Sequence, residues 1–195
     1  MAFSFIFLLV AGCAKVGKQE VEQVKVSGKK ILMVVAPENF RDEEFFDPKE
    51  VFESAGASVT VTSKGVQEAK GKLGRNTPVD IDISEADAYD FDAVVFVGGP
   101  GATVYFDDGY AHKLASDALI QGKVVAAICI APSIIANAGI LQDRKATAFE
   151  SEKDNINAKS AGYTGQPVTV DGKVVTGNGP EAAKQFGEAI VRLLV

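Results

Sequence analysis

Cys129 closes the apolar run Val124-Val125-Ala126-Ala127-Ile128 and precedes Ile130-Ala131-Pro132, where a buried strand passes into a helix with proline in its first turn. A cysteine at such a turn meets free amide N–H groups and the positive end of a helix dipole, which favour thiolate over thiol and make a nucleophile. The competing reading is a cysteine that fills core space, since free cysteine is among the most buried residue types. Gly98-Gly99-Pro100-Gly101 offers complementary chemistry. With no Cβ in the way, the Gly99 amide can approach the oxyanion formed when Cys129 attacks a carbonyl, and the Ile130 amide is placed to be a second donor. The same four residues also fit an ordinary tight turn, and they lack the spacing of a phosphate fingerprint.

The elements that must position these groups alternate along the chain. Strand-length apolar or β-branched runs cover residues 31–36, 58–63, 93–97 and the stretch ending at Cys129. Helical patterns cover 42–55, 110–121, 132–137 and 180–194, with Gly56 and Gly139 as stops. Residues 65–79 read as a hairpin or loop excursion, 147–149 as a short strand, and 168–170 with 173–176 as a hairpin about Asp171-Gly172. Near-continuous apolar strands alternating with helices predict a parallel sheet covered on both faces. Ligand chemistry belongs at the carboxyl ends of such strands. Residues 38–44, Gly98–Gly101 and Cys129 all fall there, so they should converge on one crevice.

Composition narrows the function further. At 195 residues and 47% hydrophobic content the chain has enough apolar material for one domain with a proper core. A net charge of −6 and no basic cluster argue against nucleic acid. One histidine, His112, and two cysteines cannot build a closed zinc site, and neither a metal nor another cofactor is expected. His112 reads as a surface or helix-cap residue.

Residues 2–10 are apolar but too few to span a bilayer comfortably. Val10-Ala11-Gly12-Cys13 resembles the lipobox of bacterial-type lipoproteins, although no Lys or Arg precedes the apolar run. This predicts a signal peptide over 1–12, lipidation of Cys13, a flexible polar tether over 13–29 and a domain over 30–195. The expected location is outside the cytoplasm, lipid-anchored to the cell envelope on its periplasmic or extracellular face; without a true signal it would be cytoplasmic. Cys129 would then remain as an odd thiol, reactive or redox-responsive rather than structural.

Four blocks in order resemble the ThiJ/PfpI superfamily: Asp42-Glu43-Glu44-Phe45-Phe46-Asp47-Pro48, residues 94–99, residues 126–132, and Thr176-Gly177-Asn178-Gly179-Pro180. The resemblance spans about residues 30–195. It implies a flavodoxin-like three-layer α/β sandwich with a mostly parallel central sheet, as in class I glutamine amidotransferases, and a homodimer. It implies Cys129 as nucleophile, Glu44 as the carboxyl hydrogen-bonded to it, and Gly99 with Ile130 as amide donors. Spacing to Pro48 favours Glu44 over Asp42 and Glu43. The chain also departs from the pattern. Ile130 stands where protease-like members have His, Phe149 where deglycase-like members have His, and Asn178 where an Arg often precedes Gly-Pro. The function implied is thiol chemistry on a small reactive carbonyl or a glycation adduct, with Glu44 moving the proton. Alternatives are redox sensing or stress protection through Cys129 oxidation, peptidase-like hydrolysis, and noncatalytic binding.

Overall fold

The computed structural model describes residues 24–159 and 161–195. The chain opens with β1 (Lys30–Val34), β2 (Glu38–Phe40), α1 (Asp42–Ser54) and β3 (Ser58–Ser63), followed by β4 (Glu68–Gly71), β5 (Asn76–Pro78) and β6 (Ile81–Asp82). Next come β7 (Ala93–Phe96), α2 (Gly109–Ile120), β8 (Val124–Ile128) and α3 (Pro132–Asn137). The remainder is β9 (Lys145–Ala146), α4 (Lys153–Ala158), β10 (Gly162–Tyr163), β11 (Val168–Asp171), β12 (Val174–Gly177) and α5 (Ala183–Leu193).

Seven strands form the central sheet in the order β11-β12-β8-β7-β1-β3-β6. All neighbours are parallel except the β11–β12 hairpin. The strands β7, β8 and β12 are buried at every position, which is why they read as unbroken apolar or small-residue runs rather than alternating ones. α1 packs against α5, and α2 against α3, giving the expected three-layer flavodoxin-like sandwich. The α1–α5 approach depends on Gly187, where a Cβ would sit 3.0 Å from Pro48 Cα.

Several details differ from the sequence reading, among them the edge strand β6 and the short β10, which it did not place. Residues 38–40 form a strand, β2, which joins the β4–β5 hairpin in a small side sheet. Residues 147–149 are not a strand; that pairing falls on Lys145–Ala146, while the Thr147 N–H donates to the Thr176 hydroxyl at 2.8 Å instead of entering a ladder. The short helix α4 was unforeseen, since its sequence KDNINA buries only Ile156.

Residues 24–29, the end of the segment read as a tether, lie on the domain. Val26 is buried and donates its N–H to Ala55 O at 2.8 Å, and the Lys25 ammonium donates to Ser54 O. Cys13 and the rest of the signal and tether lie outside the described residues.

Candidate active site

The nucleophile elbow is built by backbone. Cys129 adopts φ +64°, a left-handed conformation that is uncommon without glycine. It is held there from both sides: its N–H donates to Gly177 O on β12 at 2.9 Å, and its carbonyl accepts the Phe149 N–H at 2.8 Å. Such strain persists only where surrounding bonds over-determine it. The turn swings the side chain to the carboxyl end of β8, leaving Cys129 9% exposed and the free cysteine among the described residues.

Beside it, the β7 exit makes the second wall. Gly98 O accepts the Arg41 N–H at 3.0 Å, fixing the glycine turn against the residue that precedes α1. At Gly98 a Cβ would collide with Cys129 Cβ and Ile128 O, both at 2.6 Å, and with a Glu44 carboxyl oxygen. Gly99, at φ +95°, leaves no room for one either, since the Asn39 carbonyl lies 2.6 Å from where it would stand. Only a glycine pair lets α1, β7 and β8 close on one point.

The third wall is the first turn of α1, whose three consecutive acids have separate positions. The buried Asp42 accepts N–H groups from Leu73 at 2.8 Å and Arg75 at 3.0 Å, clamping the β4–β5 hairpin to the helix start. Glu43 takes the Arg41 guanidinium at 2.8 and 3.3 Å. Glu44 is fully buried and points at Cys129. The Cys129 thiol and the Gly98 amide are the hydrogen-bonding groups that act on its carboxyl.

Burial dominates the electrostatics. Desolvation pushes the Glu44 carboxyl up to about 8, against the opposing pull of the thiol and of Arg41. The Cys129 thiol is likewise pushed up to about 12, first by desolvation and then by the Glu44 charge, while the amides of Gly99 and Ile130 pull it down. The expected thiolate-favouring donors are therefore present, yet the expectation of a depressed thiol is reversed. Two acids sharing one dry site lose their protons as a pair, and the first proton lost belongs to both.

The structure thus brings Cys129, Glu44, Gly99 and Ile130 together. His112 is elsewhere, on α2, with Nε2 2.8 Å from Phe106 O. Tyr105 is buried with its hydroxyl on Val35 O at 2.9 Å. Asp47 lines a separate cleft of about 720 Å³ between α1 and α5, which contains none of the four site residues. Gly98, the residue in contact with both Glu44 and Cys129, was not singled out from sequence, although the Gly-Gly doublet marked it. Among the described residues, no group of three or more His, Cys, Asp or Glu is arranged to hold a metal, and no helix is long and apolar enough to cross a membrane.

The model of the DJ-1/PfpI family matches residues 29–193. The chain belongs to the DJ-1/PfpI family. It is similar to a ThiJ/PfpI domain protein from Brachyspira murdochii, with a TM-score of 0.83 and 41% identity, covering 86% of this chain and 98% of that one. It is 34% identical to an uncharacterized protein of Methanocaldococcus jannaschii over 100% of this chain and 96% of the relative. It is 31% identical to the Escherichia coli protein/nucleic acid deglycase 2 over 85% of this chain and 98% of that protein.

Proposed function

We propose that this DJ-1/PfpI protein is a cysteine-dependent enzyme acting on small reactive carbonyls, 2-oxoaldehydes or the adducts they form, in the manner of a glyoxalase or deglycase. The observation that carries the reading is the buried Glu44 carboxyl facing Cys129, with the Gly99 and Ile130 amides also acting on the sulfur. In the form of the pair that has lost one proton, Glu44 accepts the thiol proton as sulfur bonds to the carbonyl carbon. As the C=O π bond opens, the carbonyl oxygen takes that proton back from Glu44, giving a hemithioacetal and regenerating the carboxylate. For a 2-oxoaldehyde, Glu44 then moves the proton of the former aldehyde carbon to the neighbouring carbon while the hydroxyl proton passes to the neighbouring oxygen, and water cleaves the resulting thioester to the 2-hydroxy acid and the free Cys129 thiol. No histidine is required.

A deglycase name among relatives that match most of the domain supports the substrate class. Burial that raises the thiol slows oxidation and carbonyl addition alike; what favours carbonyl chemistry is the Glu44 carboxyl, which can take the thiol proton as the carbon–sulfur bond forms. The test is methylglyoxal consumption from pH 6 to 9. With Glu44 at about 8, kcat/KM should climb nearly tenfold per pH unit below that value and then level. Consumption that Cys129→Ser does not abolish, or a flat profile, overturns the mechanism. The proposal for the N-terminus is unchanged from its sequence: a lipid on Cys13 anchors the domain to the cell envelope.

A further inference from the structure

Phe149 is 48% exposed, and a lone exposed aromatic needs no explanation on most surfaces. This one is bonded through its own backbone to the nucleophile, its N–H donating to the Cys129 carbonyl at 2.8 Å. Its ring stands against Gly179, where a Cβ would lie 3.7 Å from Phe149 Cδ2. Gly179 follows the end of β12 by two residues, and the last residue of that strand, Gly177, receives the Cys129 N–H. The ring is therefore set at the carboxyl ends of β8 and β12, at the same end of the sheet as the sulfur.

Of the neighbouring charges, a Glu181 carboxyl oxygen stands at the same glycine, 3.8 Å from where a Gly179 Cβ would lie, while two others are engaged elsewhere. Glu150 accepts the Tyr163 hydroxyl at 3.0 Å and pairs with Lys153, and Glu152 accepts the buried Ser133 hydroxyl at 2.6 Å. Ile130, next to the nucleophile, is apolar and half-buried. The residues bonded or adjacent to Cys129 at this end of the sheet thus include one half-exposed aromatic ring and one aliphatic side chain.

We propose that Phe149 is a specificity residue, stacking on the substituent next to the attacked carbonyl, so that the site takes aryl-substituted 2-oxoaldehydes in preference to methylglyoxal. This rests on the carbonyl reading above. A planar aryl group gains an offset or edge-to-face ring contact that a methyl group cannot make.

The experiment measures kcat/KM for phenylglyoxal and methylglyoxal on the wild type, Phe149→Ala and Phe149→Tyr, each checked for folding by circular dichroism. The phenyl-to-methyl ratio should fall about fivefold in Phe149→Ala and stay within about twofold in Phe149→Tyr, the range expected for one aromatic pair. An unchanged ratio in Phe149→Ala overturns the proposal while leaving the carbonyl reading intact. Absence of turnover of either aldehyde by the wild type overturns the carbonyl reading and the substrate preference with it. The aromatic wall has its own readout, the relative rates at which N-phenylmaleimide and N-methylmaleimide alkylate Cys129. A phenyl preference lost in Phe149→Ala supports the wall; a ratio indifferent to the substitution overturns it.

Discussion

Replacing Glu44 with glutamine should stabilise this protein while disabling it, and the gain should depend on pH in a defined direction. The Glu44 carboxyl is raised from 4.5 to about 8 in the folded state, chiefly by desolvation. Below about pH 4.5 it is protonated whether the chain is folded or not, so its titration contributes no difference. Above that value the unfolded chain ionises freely while the folded one cannot, and the wild type loses about 1.4 kcal/mol of stability per pH unit. By pH 7 the loss is roughly 3 kcal/mol, and it levels near pH 8, where the folded carboxyl also ionises. Glutamine has nearly the same shape, does not titrate, and can still face the thiol and the Gly98 amide. Cys129 is the one other group that the substitution perturbs directly, since the Glu44 charge raises it, but an unfolded thiol ionises only near about 8.5, so below about pH 8 the difference reports Glu44. The assay is urea unfolding of wild type and Glu44→Gln at half-unit steps from pH 4.5 to 8.5. The expected difference grows from near zero to several kcal/mol in favour of the variant. A difference that is flat across that range, or that favours the wild type at pH 7, refutes the reasoning.

Gly98→Ala should abolish turnover and lower stability by about 1–3 kcal/mol, because the new methyl overlaps Cys129 Cβ and Ile128 O; activity assays and urea unfolding check both. Asp42→Ala strips the acceptor from two N–H groups of the hairpin and should cost about 1–3 kcal/mol, with faster amide hydrogen exchange at Leu73 and Arg75. Alkylation of Cys129 should show a midpoint above the ordinary thiol value of about 8.5, because burial and Glu44 both raise it. A midpoint well below that value would show that the amides of Gly99 and Ile130 outweigh burial. Cys13→Ser should move the protein from the membrane fraction to the soluble fraction in a host that processes lipoproteins; retention in the membrane fraction refutes the anchor.

Much of the fold was legible because its strands are buried on both faces. Runs such as Val124–Ile128 permit little else, and the α1 helix was placed to within a residue at its C-terminal end. What escaped was held together from a distance. β2 is three residues, two of them exposed, and exists because Glu38 and Phe40 pair with Lys70 and Gly71. The elbow, the glycine pair and Glu44 were visible as types and spacing. The direction of the thiol's shift was not: local amides can be read from a turn, whereas desolvation depends on how α1, β7 and β8 close together. Nor did spacing reveal that Asp42 serves the hairpin and Glu43 serves Arg41.

The left-handed backbone at Cys129 also limits which residues can occupy that position. A branched β-carbon is a genuine outlier at positive φ, so threonine and valine are disfavoured at 129 on steric grounds before any chemistry is considered. Serine shares the unbranched β-carbon of cysteine and passes the same filter. The elbow therefore leaves one conservative route of change open, from sulfur to oxygen, and closes the route through the other hydroxyl amino acid. The alphabet of nucleophiles available to this fold is set by a torsion angle as much as by reactivity.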